Sequence, residues 1–111
     1  MINVKGTPIP VLRALKKLGQ DLQDARKRRR IPMELAAQRA GICRSTLFRI
    51  EKGEGGVTLS AYARILFILG MINRLAEIVD PRFDVLGLDL EAEQLPKRIR
   101  IPKKEKEAAG R

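Results

Sequence analysis

The sequence predicts an all-α fold of five helices with a flexible basic C-terminal tail. Its 111 residues are the length of one small domain with a little to spare. Apolar residues recur three and four positions apart, which is the spacing of one helix face. Alternating strand patterns of useful length are absent before the tail. Together these features favour one helical core.

The first helix is predicted from Val11 onward, on apolar residues spaced four and three apart. Gly19 lies within it and costs roughly 1 kcal/mol relative to alanine. We therefore expect regular helix only from about Gly19. Pro32 forces Ile31 out of helical geometry, so this helix should close by about Arg30.

Four shorter helices are predicted to follow, at 33–40, 44–52, 59–69 and 71–79. A glycine follows each of the first three, as is common where a helix ends in a left-handed residue. Thr58 supplies a hydroxyl that can cap the helix at 59–69. The expected organisation is a flexible N-terminal segment, a helical domain and a partly disordered tail, at 1–10, 11–80 and 81–111.

Charge is unevenly distributed along the chain, whose formal net charge is +10. Residues 1–56 carry +8, residues 57–95 carry −3 and residues 96–111 carry +5. An ordinary solvated surface mixes the two signs more evenly. This polarisation indicates a polyanionic partner, with nucleic acid ranked before an anionic membrane surface.

Composition also excludes several kinds of site. The chain has no histidine, and Cys43 is its single cysteine. Cys/His zinc sites, internal disulfides and Ser-His or Cys-His nucleophile pairs therefore cannot form within one chain. We predict no metal, no cofactor and no enzymatic activity. The first ten residues lack the apolar core of a signal peptide, and the longest strongly apolar stretch is too short to span a membrane, so we expect a cytoplasmic protein.

The segment 33–53 has the spacing of a helix-turn-helix. A small residue at Ala37 lets two helices approach closely, and Gly41 permits the tight turn between them. Leu47 and Ile50 anchor the second helix, which leaves its other residues facing outward. A helix held in this way can place its N-terminal side chains at base edges in a major groove. The predicted base-contacting residues are Arg44, Ser45, Thr46 and Arg49.

The same segment resembles the Xre family of Cro/repressor-type helix-turn-helix proteins. The resemblance rests on Cys43-Arg44-Ser45-Thr46, on Ile50-Glu51 and on Gly53. It implies a structural pair between Arg26 and Glu51 that ties the first helix to the recognition helix. The chain departs from the family at Met33, where many members have a DNA-contacting glutamine, and at Cys43, where a capping serine is usual.

A closer resemblance is to HipB-like antitoxins and regulators encoded beside HipA-like kinase toxins. It is carried by residues 28–81, and by Leu95-Pro96-Lys97-Arg98-Ile99-Arg100 in the tail. It implies a repressor that acts on its own toxin–antitoxin operon and also binds the toxin. Two alternatives stay open: a stand-alone Xre-type regulator, and an adaptor that works mainly by binding a protein.

Further contacts are predicted around this motif. Four cations are assigned to DNA phosphates, with plain solvation as the alternative: Arg28, Arg29, Arg30 and Lys52. Helix 59–69 is apolar on nearly every side and too apolar to be covered completely in so small a domain. We therefore predict a homodimer on a palindromic operator, rather than a helix buried in the monomer core. Its predicted interface is Leu66, Phe67, Met71, Ile72 and Leu75.

Two segments keep more than one interpretation. Arg98 to Ile101 alternates polar and apolar residues, so it suits either a strand added to a partner or a basic arm along DNA. Beyond about Pro102 we expect disorder. Cys43 is interpreted as a small residue at a helix start, with a redox-sensing role beside Arg44 as the alternative.

Overall fold

The computed structural model describes residues 6–98, with side chains through Gln94. This part of the chain is all helical, which confirms the predicted fold class, although it has six α-helices and not five. They are α1 (Ile9–Arg28), α2 (Met33–Ala40), α3 (Arg44–Lys52), α4 (Leu59–Ile68), α5 (Ile72–Ala76) and α6 (Val85–Arg98), with a 3-10 turn at Pro81–Phe83. The chain divides into two compact units, Met1–Leu75 and Ala76–Arg111.

The predicted helix bounds agree best with those of the structure where a residue with a strong conformational preference, such as proline or glycine, marks the end of a helix. Helices α2 and α3 begin and end at the predicted residues, and α4 ends one residue early. Thr58 caps α4 through its hydroxyl, which accepts a hydrogen bond from the Ala61 N–H at 3.2 Å. Helix α5 is shorter than predicted. Helix α1 begins at Ile9, inside the segment predicted to be flexible.

Gly19 does not mark a helix start, and that expectation was wrong. Helix α1 runs through this residue without interruption, and Gly19 is buried. A Cβ placed there would lie 2.8 Å from the carbonyl oxygen of Glu51 and would also clash with the carbonyl oxygen of Ile50. Glycine is therefore required because the backbone of α3 approaches α1 too closely for a side chain.

The core of the first unit lies where α3 meets the other helices. Helix α1 packs on α3, and α2 packs on both α3 and α4. Leu47 and Ile50 of α3 are completely buried. Met33 packs against the core from its edge, whereas the fully buried residues of α2 are all small, at Ala36, Ala37 and Ala40. Their size lets α2 lie close to α3, so the position of α3 is fixed from two sides.

The second unit contains a helix that the sequence analysis did not predict. Helix α6 lies in the segment assigned to the tail. Asp84 supplies the start signal, because its carboxylate accepts a hydrogen bond from the Gly87 N–H at 3.1 Å. Arg98, where the suggested strand begins, is the last residue of α6. The rest of that strand and the disorder expected beyond Pro102 fall on residues 99–111, outside the part that the structure describes.

Candidate nucleic-acid interface

The turn between α2 and α3 holds the second helix in a defined orientation. Gly41 ends α2 with a φ of 71°, a left-handed conformation that glycine adopts without strain. The Ile42 N–H then donates to the Ala37 carbonyl at 3.0 Å, which closes the turn. Because Leu47 and Ile50 face the core, the residues on the opposite side of α3 face outward. Arg44, Ser45, Phe48 and Arg49 are exposed, and Thr46 is half-buried.

Arg26 and Glu51 form a buried salt bridge between α1 and α3. Arg26 Nε donates to Glu51 Oε2 at 2.7 Å, and Arg26 Nη2 donates to Oε1 at 3.0 Å. Arg26 Nη1 donates to the Ile31 carbonyl at 2.9 Å, so the guanidinium also holds the turn that leads into α2. The hydrogen bond with Glu51 raises the pKa of Arg26 above its usual value. The pair implied by the family resemblance is thus present in this chain.

Three outward residues of α3 form a stripe, which we call the α3 stripe: Arg44, Phe48 and Lys52. They are four positions apart and therefore follow one another on the same side of the helix. The Lys52 Nζ lies 5.4 Å from the centre of the Phe48 ring. Together with Met33 and Ser45, Arg44 and Phe48 line an open groove of about 420 Å³.

The exposed charge along α3 is positive because both nearby acids are paired. Glu51 is occupied by Arg26, and Glu54 accepts from Arg49. Within the described side chains, Arg44 and Lys52 have no ion-pair partner. These two cations are therefore available to an external anion.

Arg49 differs from the other predicted base-contacting residues, because it is engaged with the loop after α3. Its Nε lies 3.3 Å from Glu54 Oε1, and its Nη2 donates to the Gly55 carbonyl at 3.1 Å. Contact with a base would require Arg49 to leave these partners. Burial raises the pKa of Tyr62 above its usual value, and the charge of Arg49 opposes part of this shift.

The basic run at the end of α1 separates into one structural and several exposed cations. Arg26 is buried, whereas Arg28, Arg29 and Arg30 are exposed. Arg29 Nη1 donates to the Ala25 carbonyl at 2.9 Å. Arg30 has a φ of 56°, the left-handed conformation that costs a non-glycine residue free energy. The three residues of this run that were predicted to contact phosphates are therefore all at the surface.

The residues predicted as a dimer interface are incompletely covered. The exposed fraction of Phe67 is 68%, and the other four are half-buried: Leu66, Met71, Ile72 and Leu75. The inner side of α4 is formed by other residues, among them Tyr62 and Ile65. Helix α4 thus fills the core with one side and leaves Phe67 exposed on another.

Sequence reasoning missed two contributions to this region. The groove beside Phe48 was not predicted, although Met33 was noted as a departure from the family. Arg64 of α4 donates from Nη1 to the Ala40 carbonyl at 3.2 Å and so covers the end of α2. A cation near a helix C-terminus is a known signal, but Arg64 is 24 residues from Ala40, so the sequence offers no local spacing that reveals it. The thiol of Cys43, in contrast, makes no capping hydrogen bond to α3, as expected from its weak acceptor strength.

The described residues contain no cluster of three potential metal ligands. None of their helices combines the length and hydropathy that crossing a membrane requires. Comparison with protein-family models, curated proteins and solved structures gave no match.

Proposed function

We propose that this protein has the Cro/repressor-type helix-turn-helix fold and is a sequence-specific DNA-binding repressor. One observation carries the proposal: α3 is fixed by buried Leu47, Ile50 and Glu51, while its outer side presents Arg44 and Lys52 without acidic partners. A rigid helix with a cationic outer side matches what reading of a major groove requires.

In this proposal the first turn of α3 contacts base edges. Arg44 can donate two hydrogen bonds to a guanine, and Ser45 and Thr46 supply shorter polar side chains. Arg49 joins them after exchanging its bonds to Glu54 and Gly55 for bonds to a base. This exchange costs little, because the Arg49–Glu54 pair is half exposed and therefore contributes little to stability.

Four other exposed cations are assigned to phosphates. These are Arg28, Arg29, Arg30 and Lys52, of which the first three lie at the α1–α2 turn and the fourth at the end of α3. Phosphate contacts release condensed counterions, so affinity should fall steeply as salt rises. Contacts of this kind fix the register of a protein on DNA and leave sequence reading to α3.

We propose further that the protein is a homodimer through Leu66, Phe67, Met71, Ile72 and Leu75. The exposed ring of Phe67 supports this, because an uncovered aromatic side chain gains free energy when a second copy buries it. A two-fold dimer would bind a palindrome with half-sites about one DNA turn apart. Sedimentation at micromolar concentration should give the dimer mass for the wild type and the monomer mass for Phe67→Asp.

The biological role proposed is that of the antitoxin in a type II toxin–antitoxin operon, acting in the cytoplasm. This step is supported by the resemblance to HipB-like antitoxins, which implies a HipA-like kinase as partner. A stand-alone Xre-type regulator would share every DNA contact but lack the kinase. Co-purification with the product of a neighbouring kinase-like gene distinguishes the two roles.

A second candidate is an adaptor that keeps the fold but binds mainly protein. The groove lined by Met33 and Phe48 favours it, because an apolar surface suits a protein partner as well as a base. Selection from a random duplex library separates the candidates. A repressor should enrich one palindromic sequence, and an adaptor should enrich none.

A further inference from the structure

The α3 stripe holds an aromatic ring between two cations. Phe48 is 47% exposed, so the fold itself gains only part of the free energy that burying a phenylalanine provides. Lys52 lies over the Phe48 ring, with its Nζ 5.4 Å from the ring centre. An exposed ring at the centre of a DNA-reading face is therefore available for contact with whatever that face binds.

The groove beside Phe48 has an apolar and a polar part. Met33 and the Phe48 ring supply apolar surface, and Arg44 and Ser45 supply hydrogen-bond donors. The cations Arg44 and Lys52 favour an occupant that belongs to a polyanion, which argues for DNA over an apolar protein segment. Among the base edges of the major groove, the C5-methyl group of thymine is the apolar feature.

We propose that Phe48, with Met33 beside it, recognises a thymine methyl group next to a guanine held by Arg44. The inference rests on the proposed DNA-binding function and specifies part of the sequence that α3 prefers. Side chains four apart on a helix are about 5–6 Å apart at Cβ, and successive base pairs are about 3.4 Å apart. The thymine should therefore lie within about two base pairs of the guanine, on either strand.

Deoxyuridine substitution tests the proposal, because it removes only the methyl group. A duplex is first selected from a random library, and each thymine of a half-site is then replaced in turn. For the wild type, one such replacement should weaken binding about fourfold per half-site, the value of one methyl group removed from water. Replacement in both half-sites should weaken it about 15-fold.

The variant Phe48→Ala should bind the thymine and deoxyuridine duplexes equally. Val11→Ala is the matched control, because Val11 is 45% exposed on α1 and lies outside the groove. This variant should bind the deoxyuridine duplex as much more weakly than the thymine duplex as the wild type does. Circular dichroism melting checks that both variants fold.

Three results would overturn the inference while leaving sequence-specific DNA binding intact. The selected sequence could lack a thymine within two base pairs of the guanine, deoxyuridine could have no effect, or its penalty could persist in Phe48→Ala. A Phe48→Ala variant that binds DNA normally and loses a protein partner would likewise assign the groove to that protein. Failure to enrich any sequence would overturn both this inference and the proposed function.

Discussion

Arg26 and Glu51 join α1 to the candidate recognition helix through two hydrogen bonds of 2.7 and 3.0 Å. Their side chains are 10% and 2% exposed, so each charge depends on the other for compensation. The same guanidinium also bonds the Ile31 carbonyl, which precedes α2. One arginine therefore fixes the orientation of α3 and the entry into α2.

Replacing Glu51 with alanine should lower the free energy of unfolding by about 3–5 kcal/mol, because it leaves Arg26 buried without a counter-charge. Urea denaturation measures the loss. The single variants Arg26→Met and Glu51→Leu and the double variant Arg26→Met/Glu51→Leu form the control cycle, in which the double variant should lose less than the sum of the two single variants. Strict additivity of the three values would mean that the salt bridge does not couple α1 to α3.

Gly19→Ala should destabilise the protein, although alanine is the better helix former by about 1 kcal/mol. The new methyl group would meet the carbonyl oxygens of Ile50 and Glu51, so α1 would have to move away from α3. Ala14, exposed on the same helix, provides the reference: Ala14→Gly should lower the thermal midpoint by the ordinary cost of a helical glycine. A higher midpoint for Gly19→Ala than for the wild type would show that the two helices are not in close contact.

Gly19 also shows where sequence reasoning fails. A glycine within a helical pattern has the same local signature whether it starts a helix or accommodates a neighbouring backbone. Only the approach of α3, more than 30 residues later, distinguishes the two, and spacing along α1 carries no record of it. The bounds of α2 and α3 were predictable because Pro32, Gly41 and Gly53 act locally on the backbone.

The candidate site was partly predictable for the same reason. Helical periodicity placed Arg44 and Phe48 outward once Leu47 and Ile50 were assigned to the core. It could not foresee that Arg49 would bond to Glu54 and Gly55, because that depends on the path of the following loop. Helix α6 was missed because its start signal, Asp84, closely follows Pro81, at which the tail was predicted to begin.

Arg30→Gly should raise the free energy of unfolding by about 1 kcal/mol, because glycine adopts the left-handed conformation without a Cβ penalty. Lys27→Gly, in the last turns of α1, should have the opposite sign. If Arg30 contacts a phosphate, the glycine variant should also reduce the salt dependence of DNA binding by about one counterion. Arg30→Gln separates the two effects, since glutamine lacks the charge but keeps the Cβ penalty of this conformation, so it should lower the salt dependence without raising stability. Destabilisation by Arg30→Gly would contradict the strained turn.

Tyr62→Phe should leave stability unchanged or raise it by up to about 1 kcal/mol, because the buried hydroxyl has no hydrogen-bond partner in the described structure. Burial raises the pKa of Tyr62, so the unfolded chain loses its phenolic proton first as pH increases. Above about pH 10, ionisation of Tyr62 in the unfolded chain should therefore lower the free energy of unfolding of the wild type as pH rises. Tyr62→Phe should lack this contribution.

Urea denaturation at neutral and alkaline pH measures this difference. Tyr62 is the single tyrosine of the chain, so tyrosinate absorbance reports on it directly. A loss of more than 1 kcal/mol in Tyr62→Phe at neutral pH would show that the hydroxyl makes a stabilising bond.

The affinity ratio between the DNA upstream of the protein's own gene and a scrambled duplex, at one fixed salt concentration, tests the central claim most directly. We predict a ratio of about 10³ or more for the wild type. Arg44→Ala removes one bidentate contact with guanine from each half-site and should lower this ratio by about 30-fold or more. Arg13→Ala, which removes an exposed cation of α1 outside the proposed contacts, should leave the ratio unchanged. Equal affinities of the wild-type protein for the two duplexes would contradict sequence-specific repression through α3.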